Sequence, residues 1–258
     1  MVYKILAISV SLLLITGCTT ENTLNDGQAD DVNVSLNRQN VGTSAHDFLS
    51  DDTYTSLLIE MVYVEGYEPQ QSSIGNLITF INNRTYKPDG VTIEKRSIAS
   101  PGLETYSIQD IADIEMAERT RYNTEDQMTL WVYFSDGQAS SNTETNVVLG
   151  TAYWNSSFVL FEDSIQSVSN GPFDPDRELL ETTVITHEFG HLLGLTNLGT
   201  PMETEHEDEA HPKHCNNENC LMYWSSESSA GLENMINMSA APELDNACLN
   251  DLLAQGGK

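Results

Sequence analysis

The chain has few basic residues. It contains 11 Lys and Arg residues against 39 Asp and Glu residues among 258, which gives a formal net charge of −28. An acidic surface of this kind repels nucleic acid and anionic membranes, and no basic patch offsets it. The composition therefore argues against a nucleic-acid partner. It suits a solvated, exported domain, and solubility alone is the preferred interpretation over attraction of cationic substrates.

Long apolar segments are scarce as well, and the main one lies at the N-terminus. After Lys4, the apolar run 5–15 is too short to span a bilayer comfortably, and it ends in Ile15-Thr16-Gly17-Cys18. This ending resembles the bacterial lipobox, in which cleavage precedes a cysteine that is then lipidated. The resemblance implies a signal peptide over residues 1–17 and a lipid on Cys18. The alternative is an ordinary secretory signal with a chance cysteine.

Residues 18–45 are predicted to be a flexible tether between the lipid and a folded domain. The segment after Cys18 is rich in Asn, Thr, Asp, Gly and Gln and has few large apolar groups. The folded domain is predicted to cover residues 46–258, which is enough chain for one core. The resulting picture is a monomeric protein held by lipid at the bacterial cell envelope, on the outer membrane or the cell surface.

The domain shows an alternation of strand and helix patterns. Apolar residues at helical spacing predict two helices, and shorter β-prone runs predict five strands. The strands are predicted over 57–64, 91–98, 128–134, 147–154 and 157–162, and the helices over 69–82 and 107–122. This order predicts an α/β fold with a mixed sheet, in which the two helices form packing layers.

The most informative segment is 187–197, which reads His-Glu-Phe-Gly-His-Leu-Leu-Gly-Leu-Thr-Asn. On a helix, His187 and His191 share one face because they are four residues apart. Two such imidazoles can bind one Zn²⁺, and Glu188 is placed to accept a proton from water. The alternative is that these are ordinary histidines of a surface or core helix.

This segment resembles the metzincin clan of zinc endopeptidases, whose pattern is His-Glu-x-x-His-x-x-Gly-x-x-His followed by a methionine turn. His187, Glu188, His191 and Gly194 match the pattern. Asn197 stands where the third histidine is expected, and a carboxamide is a poor zinc ligand. The third ligand is therefore missing or comes from further along the chain.

A second resemblance lies in residues 214–222, His-Cys-Asn-Asn-Glu-Asn-Cys-Leu-Met. Archaemetzincins, a compact branch of the clan, place their third histidine directly before Cys-x4-Cys-x-Met. The likeness implies that residues 197–213 are an insertion and that His214 is the third zinc ligand. It also implies that Met222 is the methionine turn, an apolar floor beneath the metal.

Two other histidines remain open as the third ligand. His206 is the first alternative and His211 the second, and both lie in a charged segment that could equally be a solvated loop. Asn197 could still contribute a hydrogen bond to a ligand or to substrate.

The cysteines bear on a second metal site. Archaemetzincins have a later Cys-x-x-Cys that helps to bind a structural zinc, but this chain has only Cys248 there. A four-cysteine site is therefore excluded. In an oxidising compartment Cys215 and Cys220 are expected to form a disulfide, for which Cys248 could compete.

The resemblances together imply a metzincin-like α/β fold, with a mixed twisted sheet, two packing helices, an active-site helix and a small C-terminal subdomain. They imply one catalytic Zn²⁺ and hydrolysis of peptide bonds in a peptide or protein substrate, with Glu188 as the base. Two alternatives remain. One is a catalytically inactive metzincin-fold binding lipoprotein, and the other is a lipoprotein with a structural zinc.

Overall fold

The computed structural model describes residues 33–169, 171–236 and 238–258. The predictions for the signal peptide, for lipidated Cys18 and for the first part of the tether lie outside these residues. Among the described residues, none of the helices combines the length and apolarity that crossing a membrane requires.

A five-stranded mixed sheet forms the centre of the domain. Its strands are β1 (Ser56–Val64), β2 (Gly90–Ile98), β4 (Gln127–Phe134), β6 (Gly150–Trp154) and β7 (Ser157–Leu160). The order across the sheet is β2-β1-β4-β7-β6, and only the β6–β7 pair is antiparallel. A separate parallel pair is formed by β3 (Thr105–Tyr106) and β5 (Gln138–Ala139).

Helices cover both faces of the sheet. They are α1 (Ala45–Leu49), α2 (Gln71–Arg84), α3 (Ile108–Glu118), α4 (Glu162–Ser167), α5 (Arg177–Leu192), α6 (Leu232–Met235) and α7 (Asn246–Ala254). Side chains alternate along a strand, so β1 turns Leu57, Ile59 and Met61 into one core with α2 and α5. Val62 and Val64 enter a second core, which includes Ile111 of α3.

The predicted fold class is confirmed, because the architecture is a mixed α/β sheet with helices on both faces. Strands β1, β2 and β4 begin and end within one residue of the predicted bounds. The predicted strand 147–154 begins only at Gly150, since residues 147–149 pair with another segment. Of the last two strands, β6 lies at the edge of the sheet and β7 lies inside it.

The folded body begins upstream of the predicted boundary at His46. Residues 34–37 form a 3-10 helix, and Asn37 is fully buried and donates to the Ser156 hydroxyl at 3.1 Å. The Asn155 amide donates to the Leu36 carbonyl at 2.8 Å and to the Ser44 hydroxyl at 2.7 Å. Residues 33–45 are therefore part of the domain. Their polar composition predicted a flexible tether, but their polar groups form hydrogen bonds inside the protein.

Candidate metal centre

Helix α5 positions the motif. Asp176 caps its N-terminus by accepting hydrogen bonds from the backbone N–H groups of Glu178 and Leu179. The second half of the helix is buried, so its polar side chains face the interior of the protein. His187 and Glu188 are fully buried, and His191 is 5% exposed. The spacing of the motif thus places all three side chains in a protected site.

The chain turns sharply after α5. Gly194 has a φ of 78°, and Thr196 and Asn197 also have positive φ, at 58° and 63°. A Cβ on Gly194 would meet the Thr200 side chain at 2.6 Å, so the turn suits glycine. The Thr196 hydroxyl donates to the carbonyl oxygen of Lys213, which closes the segment between them into a loop. His214 follows directly after this closure.

The structure brings His214 to the two histidines of the motif. The ring centroids of His187 and His191 are 4.7 Å apart, and His214 lies 5.4 Å and 5.2 Å from them. The three imidazoles offer donor atoms that lie within 4.8 Å of one another. They form the imidazole group of the candidate metal centre.

His187 and His214 each use the Nδ1 atom in a hydrogen bond to the backbone, which leaves the Nε2 atom of each ring facing the candidate metal position. His187 Nδ1 bonds the Leu221 carbonyl oxygen at 2.7 Å, and His214 Nδ1 bonds that of Pro212 at 3.1 Å. The Nε2 atoms of both rings are buried and make no hydrogen bond to the backbone, and each faces the carboxylate of Glu227. A backbone carbonyl on one ring nitrogen fixes the tautomer that leaves the other free to bind a metal. The group therefore fits a zinc ion.

Burial keeps His187 and His191 neutral, as a metal ligand must be. Burial and, after it, the neighbouring His191 lower the pKa of His187 to about 3. Burial also lowers the pKa of His191. Neutral imidazoles present lone pairs rather than protons at neutral pH, so metal binding does not require them to lose a proton.

Glu188 lies beside the imidazole group in space that a glycine provides. A Cβ on Gly150 of β6 would lie 2.6 Å from both Glu188 Oε1 and Val184 Cγ1. Burial raises the pKa of Glu188 well above its usual value, and the nearby Glu227 carboxylate raises it further. A cation at the imidazoles would oppose this rise by favouring the carboxylate form.

Met222 lies beneath the motif helix. It is fully buried, and a Cβ on Gly190 would overlap its sulfur, so the glycine between the two motif histidines allows this contact. The neighbouring Leu221 carbonyl accepts the hydrogen bond from His187. The methionine segment thus supports the site by packing and by orienting one imidazole.

Glu227 is a residue of the site that the sequence did not point to. Its Oε2 lies 3.7 Å from His187 Nε2 and 3.8 Å from His191 Nε2, and its Oε1 lies 3.3 Å from His214 Nε2. Burial opposes its ionisation, but bonding to His191 and His214 holds its pKa well below the usual value. It lies in a serine-rich segment, five residues after Met222, and no motif marks it.

The other candidate ligands lie apart from the imidazole group. His206 Nε2 bonds Asp251 Oδ2 of α7 at 2.8 Å. His211 Nδ1 bonds Asp208 at 2.8 Å, and its ring stacks on Trp224 with centroids 4.1 Å apart. Asn197 is exposed and donates to Glu207 at 3.4 Å. The cluster of possible ligands that holds His187 and His191 includes neither His206 nor His211.

The cysteines do not form the predicted Cys215–Cys220 disulfide. Both thiols and that of Cys248 are free and buried, and Cys220 Sγ lies 3.6 Å from Cys248 Sγ. His206, Cys215, Asp245 and Cys248 offer donor atoms within 4.8 Å of one another. Sulfur and imidazole are the ligands of structural zinc sites, so this second cluster could hold a metal ion without four cysteines.

The fold is similar to that of known zinc peptidases. No protein-family model matches the chain, and no curated protein matches it in sequence. Among solved structures it is similar to the archaemetzincin of Methanopyrus kandleri, with a TM-score of 0.50 and 17% identity over 78% of this chain and 96% of that one. A zinc-dependent peptidase of Methanocorpusculum labreanum gives a TM-score of 0.50 and 14% identity, over 75% and 99%. The chain therefore has the fold of an archaemetzincin.

Proposed function

We propose that the protein is a zinc-dependent endopeptidase. One observation carries this proposal. The buried imidazoles of His187 and His191 and the largely buried imidazole of His214 converge beside the buried carboxylate of Glu188. Three protein ligands with a neighbouring base are the arrangement that hydrolytic zinc sites use. The likeness to a solved zinc-dependent peptidase supports the same conclusion.

In the proposed hydrolysis of a peptide bond, the histidines would hold the metal ion and Glu188 would transfer the proton. A zinc ion held by the three histidines would lower the pKa of water toward ~7 and polarise the scissile carbonyl. Glu188 accepts the proton of the attacking water and passes it to the leaving amine. Its burial removes competing solvent, and the Gly150 backbone leaves it room to move.

Strand β6 is the proposed binding edge for substrate. It ends the five-stranded sheet, so one side of its backbone is not paired within that sheet. An extended peptide can bind such an edge as an added strand. Thr151 and Ala152 of β6 line a cavity of about 200 Å³ together with Glu188, His191 and His214. A peptide on β6 would thus pass the proposed catalytic residues.

We also propose that the enzyme is anchored at the bacterial cell envelope by lipid on Cys18. The support is the lipobox-like sequence Ile15-Thr16-Gly17-Cys18 at the end of a short apolar run. The strong acidity of the chain gives no competing electrostatic route to an anionic membrane.

The main argument for the alternative, a catalytically inactive binding lipoprotein, no longer applies. It rested on Asn197, which replaces the expected third histidine, but His214 supplies a third imidazole at the site. The decisive experiment is cleavage of casein or a peptide library by the zinc-loaded wild type and by Glu188→Gln. We expect the variant to keep its zinc and lose roughly 10²–10⁴-fold in rate, because only the proton acceptor is changed. Equal cleavage by both proteins would refute the assigned mechanism.

A further inference from the structure

Glu227 lies where a fourth metal ligand would lie. Zinc–nitrogen and zinc–oxygen bonds of roughly 2.0–2.2 Å in a tetrahedron separate neighbouring ligand atoms by about 3.3–3.5 Å. The three distances from the Glu227 oxygens to the Nε2 atoms of His187, His191 and His214 are 3.7, 3.8 and 3.3 Å. The first two distances are from Oε2 and the third is from Oε1, and one Glu227 oxygen lies within 4.8 Å of a nitrogen of each ring. The carboxylate thus faces all three imidazoles at a spacing near that of a coordination shell.

The backbone holds Glu227 in place. The Leu149 N–H donates to the Glu227 carbonyl oxygen at 2.8 Å, and the Ser229 N–H donates to that of Val147 at 2.8 Å. Val148 and Ser228 form an antiparallel bridge between these bonds. The Cα of Glu227 is therefore fixed across from the start of β6, and its side chain reaches the imidazoles from a fixed point.

The side chain of Glu227 remains free to leave. It is 27% exposed, in contrast to the fully buried Glu188, and it lines the same cavity of about 200 Å³. Lys213 also lines this cavity, so a displaced carboxylate has a cation within the same space. The backbone bonds at Leu149 and Ser229 do not involve the Glu227 side chain, so its displacement would not need to break them.

We propose that Glu227 is a fourth protein ligand of the zinc ion at rest, and that the substrate must displace it. This inference rests on the proposed function, since it concerns regulation of the same site. A closed shell of three imidazoles and one carboxylate excludes the water that hydrolysis needs. The bound peptide opens the position as it settles on β6, so water is activated only when substrate is present.

The test uses the full chain loaded with Co²⁺, whose visible absorption reports coordination. Variants Glu227→Gln and Glu227→Ala are compared with wild type, and the exposed Glu125→Gln serves as a control for loss of one negative charge. Acetohydroxamic acid is the probe of an open position. We expect both Glu227 variants to bind the probe at least tenfold more tightly than wild type, to change the cobalt spectrum and to bind zinc more weakly.

The outcomes separate this inference from the peptidase proposal. An unchanged cobalt spectrum and unchanged probe affinity in Glu227→Gln, which keeps the side-chain shape, would overturn the assignment of Glu227. The expected spectral change without peptide cleavage by any variant would leave Glu227 as a ligand and refute the peptidase. If the wild type cleaves peptides but the Glu227 variants change neither the cobalt spectrum nor the probe affinity, the peptidase proposal stands and Glu227 is not a ligand.

Discussion

The hydroxyl of Thr196 donates a hydrogen bond to the carbonyl oxygen of Lys213. Thr196 immediately precedes the segment 197–213, and Lys213 is the last residue of that segment. Their contact brings the chain back to the end of the glycine turn, and His214 follows directly. The third imidazole thus reaches His187 and His191 although it lies 23 residues after His191 in the sequence.

The first prediction concerns the third ligand. His214→Ala should lower zinc affinity by more than the roughly 10–100-fold that loss of an outer-shell partner causes, because it removes a donor atom. Asn197→Ala should change the affinity little, since Asn197 contacts Glu207 instead. Competitive zinc titration of the purified variants measures both effects.

His206→Ala is the control for this titration, because His206 bonds Asp251 and lies in the second cluster. The catalytic ion should remain bound in that variant. Loss of the catalytic ion in His206→Ala, with His214→Ala unaffected, would contradict the assignment and transfer the ligand to the acidic loop.

The second prediction concerns the room around Glu188. Gly150→Ala would place a methyl group 2.6 Å from Glu188 Oε1, so the carboxylate must shift. A misplacement of about 1 Å can cost on the order of 10²-fold in rate, and we expect kcat to fall while zinc stays bound. Gly75→Ala is the matched control, because a Cβ there meets nothing within 4 Å. A normal kcat in Gly150→Ala would show that Glu188 needs no such space.

The third prediction concerns the second cluster. Because Cys215, Cys220 and Cys248 are free thiols, all three should react with a thiol reagent after unfolding without reductant. In the folded chain, added zinc should protect Cys215 and Cys248 from alkylation, since the ion binds thiolates. Mass spectrometry of the alkylated protein counts the reacted sites. Finding two of the three thiols oxidised to a disulfide would contradict the structure.

The fourth prediction concerns the segment 33–45. Asn155→Ala removes hydrogen bonds to the Leu36 carbonyl, the Ser44 hydroxyl and the Gln39 N–H. At about 1 kcal/mol each, their loss should lower the free energy of unfolding by roughly 2–4 kcal/mol. Urea denaturation measures this change, and Asn83→Ala, at an exposed position, is the control. Equal stability of the two variants would mean that the segment is not docked.

The fifth prediction concerns anchoring. Cys18→Ser should release the protein from the membrane fraction or block its processing, because the proposed site of lipid attachment is removed. Fractionation and N-terminal mass analysis of both proteins provide the measurement. Unchanged fractionation, together with an unprocessed N-terminus in the wild type, would argue against a lipoprotein.

The sequence predicted the sheet well because its strands carry local signals. The nearly continuous apolar runs of β4 and β1 mark strands buried on both faces, with few competing interpretations. The start of β6 was misplaced, since Val147 is as β-prone as its neighbours but pairs with Ser229 rather than within the sheet. Only tertiary contacts determine that choice.

The residues of the candidate site also differ in whether local sequence or tertiary contacts determine them. His187, Glu188 and His191 follow from spacing on one helix, and His214 followed only from a resemblance. Glu227 could not be predicted, because its place depends on the pairing of residues 147–149 with residues 227–229. The second cluster was also missed, since it needs α7 to bring Cys248 to Cys215 and His206.

The docking of residues 33–45 sets how far the proposed enzyme reaches. With Asn37 buried in the domain, only residues 19–32 separate Cys18 from the docked segment. A chain advances at most about 3.5 Å per residue, so this stretch spans no more than roughly 50 Å. A lipid on Cys18 would therefore confine peptide cleavage to a thin layer along the membrane. Proteins that lie further from the membrane than this layer would not be cleaved.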